Sequence, residues 1–251
     1  MKKLILISSL ALLGVAALVT TRLADTTPAQ KPVVAEDVTP MKTAHYAEST
    51  QPASVVELFT SQGCSSCPPA NNFAASLAKD DDKLVLTYGV TYWDYLGWKD
   101  TFGDPEFTQR QRDYRDAFGA ANIYTPQIIL GGSAHSPRYS KKDVVDMSLP
   151  ENEVDMSLTR NGDFLTVKAN TSKDVIVDLV SYVPGEQSVD VKRGENGGRT
   201  LRVTNVVMDV QSLDWDGQSA TIEMPSSENM EYAVLIHDRT NAKILDAAVI
   251  Q

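Results

Sequence analysis

The stretch FTSQGCSSCPP, Phe59 to Pro69, contains both cysteines of the chain and decides the first interpretation of its fold. Before it runs ASVVELFT, Ala53 to Thr60, an apolar segment typical of a buried strand. After it, apolar residues recur at helical spacing, at Ala70, Phe73, Ala74 and Leu77. The two cysteines are therefore expected in a turn that joins a strand to a helix.

Cys64 and Cys67 are spaced for thiol–disulfide exchange. The N-terminus of a helix offers free backbone N–H groups and the positive end of its dipole, which favour a thiolate at the first cysteine. Pro68 and Pro69 are tolerated there because the N–H groups of the first turn have no partner within the helix. We predict that Cys64 is the more exposed sulfur and the nucleophile, and that Cys67 resolves the mixed disulfide.

Other uses of the same two cysteines compete with redox chemistry. As a structural crosslink, so short a loop would stabilise the fold by only about 2 kcal/mol. Two inert buried thiols fit poorly with an oxidising compartment. Two thiolates are too few for structural zinc, but Cu(I) accepts two or three soft ligands, with His135 as the third. The remaining alternative is a binding module without catalysis.

A β-α-β-α-β pattern surrounds the cysteines. The second strand is KLVLTYGV, Lys83 to Val90, and a helix is predicted from Asp104–Pro105 to a stop at Gly119. Arg110 is expected on the side of this helix away from its apolar residues. The third strand, YTPQIILGG, spans Tyr124 to Gly132, and the proline near its start is expected to be cis in this context. This order predicts a small α/β domain.

The character of the chain changes near residue 150. From there apolar and polar residues alternate in short runs, which is typical of strands that form a β-sandwich or barrel. Turns are predicted between these runs at Asn161–Gly162, Pro184–Gly185, Gly197–Gly198 and Asp216–Gly217.

The N-terminus indicates export. Lys2 and Lys3 precede an apolar segment, Leu4 to Val19, that is shorter than a membrane span, so residues 1–24 are interpreted as a signal peptide or an N-terminal anchor. We expect a linker at 25–52, a first domain at 53–150 and a second at 151–251, located in the periplasm or secreted. The net charge of −10 argues against nucleic acid as a partner. Thiols or disulfides of proteins or small molecules are the expected partners, with no cofactor besides the Cys64–Cys67 pair.

These motifs carry a family resemblance. A strand, a CxxC turn, a helix and a later Thr-Pro resemble the thioredoxin superfamily. The segments VVELFTSQGCSSCPPA, YWDYLGWKD, FTQRQRDY, YTPQ and GENGGRTLRVTNVV together resemble a family of secreted bacterial proteins catalogued as domain of unknown function 1223. The resemblance covers about residues 54–251 and implies a thioredoxin-like domain followed by an all-β, sandwich-like domain. In that family a His and an Asp often stand where this chain has Gly89 and Thr91.

Several residues outside the dithiol are candidates for the site. Glu57 precedes the dithiol on its strand and could accept the proton of the resolving thiol. Trp93, in an aromatic segment from Tyr92 to Trp98, is predicted to form a wall over the dithiol, although packing in a core explains it equally well. Substrate is expected to contact Tyr124, Thr125 and Pro126. The loop VKRGENGGR, Val191 to Arg199, is predicted either to dock on the first domain or a ligand, or to be a solvated hairpin loop.

Overall fold

The computed structural model describes residues 49–151, 153–215, 219–223 and 229–250, which lie in one compact unit. The helices of this part are α1 (Pro68–Leu77), α2 (Pro105–Ala117) and α3 (Lys141–Asp146), and a short 3₁₀ turn spans Asp94–Leu96. The strands are β1 (Ser49–Thr50), β2 (Ser54–Thr60), β3 (Lys83–Gly89), β4 (Gln127–Leu130), β5 (Ala134–Ser136), β6 (Asp155–Asn161), β7 (Phe164–Asn170), β8 (Val175–Asp190), β9 (Thr200–Asp214), β10 (Ser219–Glu223), β11 (Glu231–Asp238) and β12 (Ile244–Ile250).

Strands from both halves of the chain form one large mixed sheet. Its order is β1-β12-β11-β8-β9-β3-β2-β4-β5, and β10-β7-β6 form a second, antiparallel sheet. β2 and β3 are parallel, whereas β4 pairs antiparallel with β2 and β5 pairs antiparallel with β4. The two halves join where β9 runs parallel to β3, with Val206 opposite Thr87. The Thr87 hydroxyl donates to the Thr204 carbonyl at 2.6 Å, and the Asn205 amide donates to the Val85 carbonyl at 3.0 Å.

The predicted fold class is therefore wrong. We expected an α/β thioredoxin-like domain followed by an all-β, sandwich-like domain, but the protein is mostly β and its principal sheet crosses the predicted boundary at residue 150. The strands of the second half alternate as expected, yet four of them extend the sheet of the first half. Because β3 is buried along nearly its whole length, its outer edge needs a hydrogen-bonding partner, and β9 supplies it.

The longest strands also differ from the prediction. The turn expected at Pro184–Gly185 does not separate two strands, because β8 continues through it as an irregularity between Val183 and Glu186. The turn at Asn161–Gly162 is confirmed as the connection of the β6–β7 hairpin, with Gly162 at φ 61°. Asp216–Gly217 lies outside the described residues. The long β8–β9 hairpin carries its connecting loop, which includes Gly197–Gly198, from the sheet toward the cysteines.

Three apolar clusters hold the layers together. On one face of the large sheet, Phe107 and Tyr114 of α2 pack on side chains of both halves, including Phe59, Tyr88 and Val180. On the other face, α1 and α3 cover β2, β3 and β4. Also on that face, the small sheet packs against β8, β11 and β12. The small sheet and its partners thus form a local sandwich built onto the common sheet.

The N-terminal predictions fall mostly on residues that the structure does not describe. The signal peptide or anchor at 1–24 lies outside the described residues, as does most of the linker at 25–52. The last part of that linker contributes a strand, since Ser49 and Thr50 of β1 pair with Ile250 and Val249 of β12. Among the described residues, no helix is long and apolar enough to cross a membrane.

Candidate functional site

Cys64 and Cys67 form a disulfide in the turn between β2 and α1. The Cα atoms of the two residues are 5.5 Å apart. Cys64 N donates to the Ser61 carbonyl at 3.1 Å and Cys67 N to the Cys64 carbonyl at 3.2 Å, so the turn is closed by its own backbone. Cys67 is the N-cap residue of α1. The predicted strand–dithiol–helix unit is confirmed.

The start of α1 does not offer the free N–H groups that we predicted for a thiolate. Pro68 and Pro69 have no N–H to donate. The next two donors, Ala70 N and Asn71 N, both bond to the Cys67 carbonyl, at 2.9 and 3.1 Å. The prolines are compatible with the helix, but they remove the donors that commonly activate a cysteine at this position.

The Thr125–Pro126 segment lies beside the dithiol, and its peptide bond is cis. The Ser66 hydroxyl is 3.3 Å from Cys64 Sγ and 3.4 Å from the Thr125 carbonyl oxygen, so it links the two segments. Pro126 is buried and leads into β4, whereas Thr125 remains half-buried. The structure thus brings together Cys64, Cys67, Thr125 and Pro126, all four of which we had assigned to the site.

The aromatic segment from Tyr92 to Trp98 lines the same turn. Trp93 Nε1 donates to Thr125 Oγ1 at 2.7 Å, and a Cβ placed on Gly63 would be only 2.9 Å from the Cβ of Trp93. Tyr95 stacks on Trp93 and is 77% exposed, which is unusual for so large a ring. Trp93 is therefore a wall of the site, and glycine at position 63 allows it to approach.

A second tryptophan of this segment positions the residues before Cys64. Trp98 Nε1 donates to Gln62 Oε1 at 2.8 Å, and Gln62 N donates to Asp100 Oδ2 at 2.7 Å. Burial raises the pKa of Asp100, while the N–H groups of Gln62 and Phe102 partly offset that effect. The segment before the disulfide is thus held by a buried carboxylate and an indole N–H.

The loop Val191–Arg199, here called the cap loop, lies over the disulfide. The side chain of Asn196 is fully buried, and its amide donates to the Gln62 carbonyl at 3.0 Å and to the Cys64 carbonyl at 2.9 Å. Glu195 Oε2 accepts from Ser65 N at 3.1 Å. Of the two interpretations of this loop, docking on the first half is confirmed and a solvated hairpin is wrong.

Both cysteines are inaccessible to solvent in the disulfide form. Cys64 and Cys67 are both 0% exposed, so the prediction that Cys64 is the more exposed sulfur is wrong for the disulfide form. The exposed residues of the turn are Ser65 and Ser66, which lie between them. A substrate sulfur reaches the pair only if residues around the turn move.

His135 and Tyr124 form a separate contact. Nδ1 of His135 is 2.8 Å from the Tyr124 hydroxyl, and its ring stacks on Phe118 with centroids 4.7 Å apart. The Tyr124 carbonyl accepts from the Gln111 amide at 2.8 Å. The recorded contacts of His135 therefore do not include either cysteine. Within the described ranges, no group of three or more His, Cys, Asp or Glu residues is arranged to hold a metal ion.

Glu57 is buried on the face of the sheet that α2 covers. Its two oxygens are occupied by Arg110 Nε at 2.9 Å and by the Tyr114 hydroxyl. Arg110 also binds Asp178 Oδ2 through Nη1 at 2.7 Å, which ties α2 to β8. The recorded partners of Glu57 are thus an arginine and a tyrosine, and no cysteine is among them.

Arg110 belongs to a buried charge cluster, so its predicted place away from the apolar side of α2 is wrong. It lies over the rings of Tyr88 and Tyr114, 5.5 Å from each centroid. Burial raises the pKa of Asp178, but the charges of Arg110 and His237 outweigh it, so the net pKa is well below the usual range. Asp178 therefore stays ionised, and the guanidinium that holds its pKa down, that of Arg110, comes from the other half of the chain.

Gly89 and Thr91, where the family resemblance implies His and Asp, both lie in packing contacts here. A Cβ on Gly89 would lie 2.6 Å from the Phe102 carbonyl oxygen, so this backbone has no room for a side chain. Thr91 Oγ1 is 3.1 Å from Thr108 Oγ1 of α2. The residues at these two positions are therefore explained by packing between β3 and the start of α2.

Sequence reasoning missed the individual residues of the cap loop and of the charge cluster. The loop was recognised by its glycines and charges, but nothing local marks Asn196 as buried. Asp178 looked like one polar residue of an alternating strand, and only the pairing of β8 with β9 and the position of α2 reveal its partner. The signal in the sequence that could have identified Asp178 is a polar residue at a strand position that faces the interior.

Replacing Asn196 with alanine is expected to open the site. The variant loses two hydrogen bonds to buried carbonyls, worth about 1 kcal/mol each, so reduction of the disulfide by a small reductant should accelerate about tenfold to thirtyfold. Stopped-flow reduction with a phosphine would measure it. Lys192→Ala is the matched control, because its exposed side chain reaches only Asp190. An unchanged rate in Asn196→Ala would show that the cap loop does not limit access.

This chain is similar to proteins of a known sequence family and to proteins of known structure. The model of the family described as "Protein of unknown function (DUF1223)" matches residues 55–237. Among solved structures, the X-ray crystal structure of protein AGR_C_4864 from Agrobacterium tumefaciens is similar, at 32% identity and a TM-score of 0.65 over 80% of this chain and 95% of that chain.

A second solved structure, HBP35 of Porphyromonas gingivalis, is similar in fold at 15% identity. Its TM-score is 0.51, and the match covers 78% of this chain and 74% of that chain. The comparison with curated proteins gives no match. Because the family model spans most of the chain and includes the dithiol, the aromatic wall and the cap loop, the chain belongs to the family of proteins of unknown function catalogued as DUF1223.

Proposed function

We propose that this protein catalyses thiol–disulfide exchange through Cys64 and Cys67, outside the cytoplasm. The observation that carries the proposal is a disulfide at the N-terminus of a helix, next to Thr125 and cis-Pro126 and walled by Trp93. Because the closed loop is so short, a structural role contributes little stability and does not explain the surrounding polar network.

The exchange proceeds through two displacements at sulfur. The Cys64 thiolate attacks one sulfur of a substrate disulfide, forms a mixed disulfide and releases the other substrate sulfur as a thiolate. The Cys67 thiolate then attacks Cys64 Sγ, which re-forms the Cys64–Cys67 bond and releases the second substrate thiolate. The substrate gains two electrons and the protein pair loses them, and the reverse sequence oxidises a substrate dithiol.

The neighbouring groups have defined roles in this sequence. The Ser66 hydroxyl, 3.3 Å from Cys64 Sγ, can donate to a thiolate that forms there. The Thr125 carbonyl and Trp93 lie on the side from which substrate approaches. Residues around the turn must move aside, since both sulfurs are buried in the disulfide form. Substrates are thiols or disulfides of proteins or small molecules.

The place of action rests on the sequence. Lys2, Lys3 and the apolar segment that follows have the pattern of an export signal, and a disulfide persists in an oxidising compartment. The protein acts in the periplasm or after secretion, free or tethered through its N-terminus.

Reduction of insulin by the purified protein, with a chemical dithiol as electron source, tests the proposal. The wild type is expected to accelerate the reaction, and Cys64→Ala to lower the rate at least about a hundredfold, to the background of the dithiol alone. Ser65→Ala, at an exposed side chain between the cysteines, is the control that keeps both sulfurs. A wild-type rate equal to background, in protein whose disulfide is shown to be reduced, would sink the proposal.

A further inference from the structure

We infer that the Cys64–Cys67 pair acts as a reductant of disulfides, and that Glu195 of the cap loop is a positioning residue that contributes to this direction. The inference rests on the proposed function and adds the direction of electron flow. This direction is inferred from the chemical groups that surround the turn.

Backbone donors are the first of these groups. In a CxxC site that oxidises its substrates, the reduced form is favoured because its nucleophilic thiolate is stabilised. Here Pro68 and Pro69 offer no N–H, and Ala70 N and Asn71 N are bonded to the Cys67 carbonyl. Cys67 N is bonded to the Cys64 carbonyl. These five backbone positions therefore supply no free donor to a Cys64 thiolate.

The N–H of the residue after Cys64 is occupied by a carboxylate. Glu195 Oε2 accepts from Ser65 N at 3.1 Å, and hydrogen bonds from Ser65 lower the pKa of Glu195, so the group is charged at neutral pH. The N–H of Ser65 is thus engaged by a negative charge and is not available to a Cys64 thiolate. The effect of that charge on a thiolate is repulsive.

The other charged groups around the turn leave an excess of negative charge. Asp100 binds Gln62 N from beneath, and Asp94 in turn accepts from Asp100 N at 3.1 Å. The opposing cation is Arg199, whose guanidinium donates to Asn196 Oδ1 at 3.0 Å. Among the described residues, two carboxylates, those of Glu195 and Asp100, therefore accept directly from backbone N–H groups of this segment, and burial raises the pKa of Asp100, so Glu195 is the carboxylate that bears on a Cys64 thiolate.

The chemical consequence concerns the relative stability of the two redox states. Burial and like charge disfavour a thiolate at Cys64 and oppose the one hydroxyl donor described beside its sulfur, that of Ser66, so the reduced protein gains little stabilisation from ionisation near neutral pH. The disulfide is then the favoured state, and a reduced pair readily passes two electrons to a substrate disulfide, which becomes two thiols. A dithiol donor of lower reduction potential must re-form the reduced pair and is itself oxidised to a disulfide.

Redox equilibria of the purified full-length protein test the direction. The wild-type pair is expected to be fully oxidised by glutathione disulfide in a glutathione buffer and to equilibrate only with dithiothreitol. Half-reduction of the pair by millimolar glutathione would overturn the inference. Insulin reduction is measured in parallel. If the protein reduces insulin but its cysteine pair equilibrates with glutathione, the inferred direction is wrong and the proposed function stands. If the pair equilibrates only with dithiothreitol but the protein does not reduce insulin, the proposed function is wrong.

Glu195→Gln tests the residue. Above the pH at which Cys64 ionises in the variant, the equilibrium ratio of reduced to oxidised protein should be about two to five times that of the wild type, because an exposed like charge has been removed. At lower pH, where Cys64 is a neutral thiol in both proteins, the difference should vanish. Glu186→Gln, which removes an exposed carboxylate bonded to Arg202 on the same hairpin, is the matched control. Equal equilibria for wild type and Glu195→Gln across the pH range would overturn the role of Glu195.

Discussion

The Cys67→Ala variant is expected to accumulate as mixed disulfides between Cys64 and its substrates. In the wild type Cys67 is held next to Cys64 by the turn, with 5.5 Å between the Cα atoms, so the second displacement is intramolecular and fast. Without Cys67 the mixed disulfide can be released only by an external thiol. Non-reducing gels of the variant, expressed in cells and acid-quenched, should show high-molecular-weight species that disappear on reduction.

Two contacts support our proposal that Cys64 rather than Cys67 attacks. Cys64 Sγ contacts the Ser66 hydroxyl, and the Cys64 carbonyl is the group that the cap loop holds through Asn196. The cap loop is thus bonded directly to Cys64, whereas Cys67 is the N-cap residue of α1.

The matched control is Cys64→Ala, which retains Cys67 and should trap little or nothing. If the two variants trap the same species in equal amounts, or if Cys67→Ala traps none, the assignment of Cys64 as the attacking sulfur is wrong. Mass spectrometry of the trapped species would then identify the substrates of the protein directly.

The sequence predicted the local units of the site well. Apolar periodicity placed β2, α1, β3 and α2 near their observed bounds, and the Asp104–Pro105 start of α2 is confirmed, with Asp104 accepting from Glu106 N at 2.8 Å. Thr125–Pro126 was expected to be cis and is. Each of these features depends on residues that are close in the chain, which is why the pattern was sufficient.

The features that sequence reasoning missed depend on pairing between distant segments. β9 could have formed a separate sandwich with the same alternation, but it extends the first sheet, because Val206 pairs opposite Thr87. Pro184 and Gly185 look like a hairpin turn, yet β8 passes through them with a shift of register. The Cys64 carbonyl accepts from Asn196, 132 positions away, so no reading of the dithiol segment alone could find this contact.

Arg110 connects these distant segments, and its replacement by methionine is expected to lower the free energy of unfolding by about 3–5 kcal/mol. Its guanidinium binds Glu57 of β2 at 2.9 Å and Asp178 of β8 at 2.7 Å, and these carboxylates are 1% and 3% exposed. Methionine preserves much of the packing but removes the cation that lies between the two buried carboxylates, although Asp178 Oδ2 keeps its contact with His237 Nε2 at 3.1 Å. Urea unfolding followed by tryptophan fluorescence would measure the loss.

Arg112→Met is the matched control, since Arg112 lies on the same helix but its recorded contact is an exposed 3.4 Å hydrogen bond to Gln109. Its effect should stay within about 0.5 kcal/mol. The triple variant Arg110→Met, Glu57→Gln, Asp178→Asn should recover part of the lost stability, because the unpaired charges are gone. A loss below about 1 kcal/mol in Arg110→Met would show that the cluster does not join the two halves energetically.

The loss of unfolding free energy in Arg110→Met should depend on pH, and the direction of this dependence can be predicted. In the wild type, Arg110 and His237 hold the pKa of Asp178 below its unfolded value despite burial, so Asp178 contributes stability above about pH 4 and loses it as pH falls toward the folded pKa. Without Arg110, burial dominates and the carboxylate is expected to take up a proton more readily on folding. The variant's deficit should therefore be largest near pH 7 and shrink toward about pH 5, where protonation relieves the buried charge. A deficit that is constant over this range would mean that lost packing, rather than an uncompensated charge, destabilises the variant.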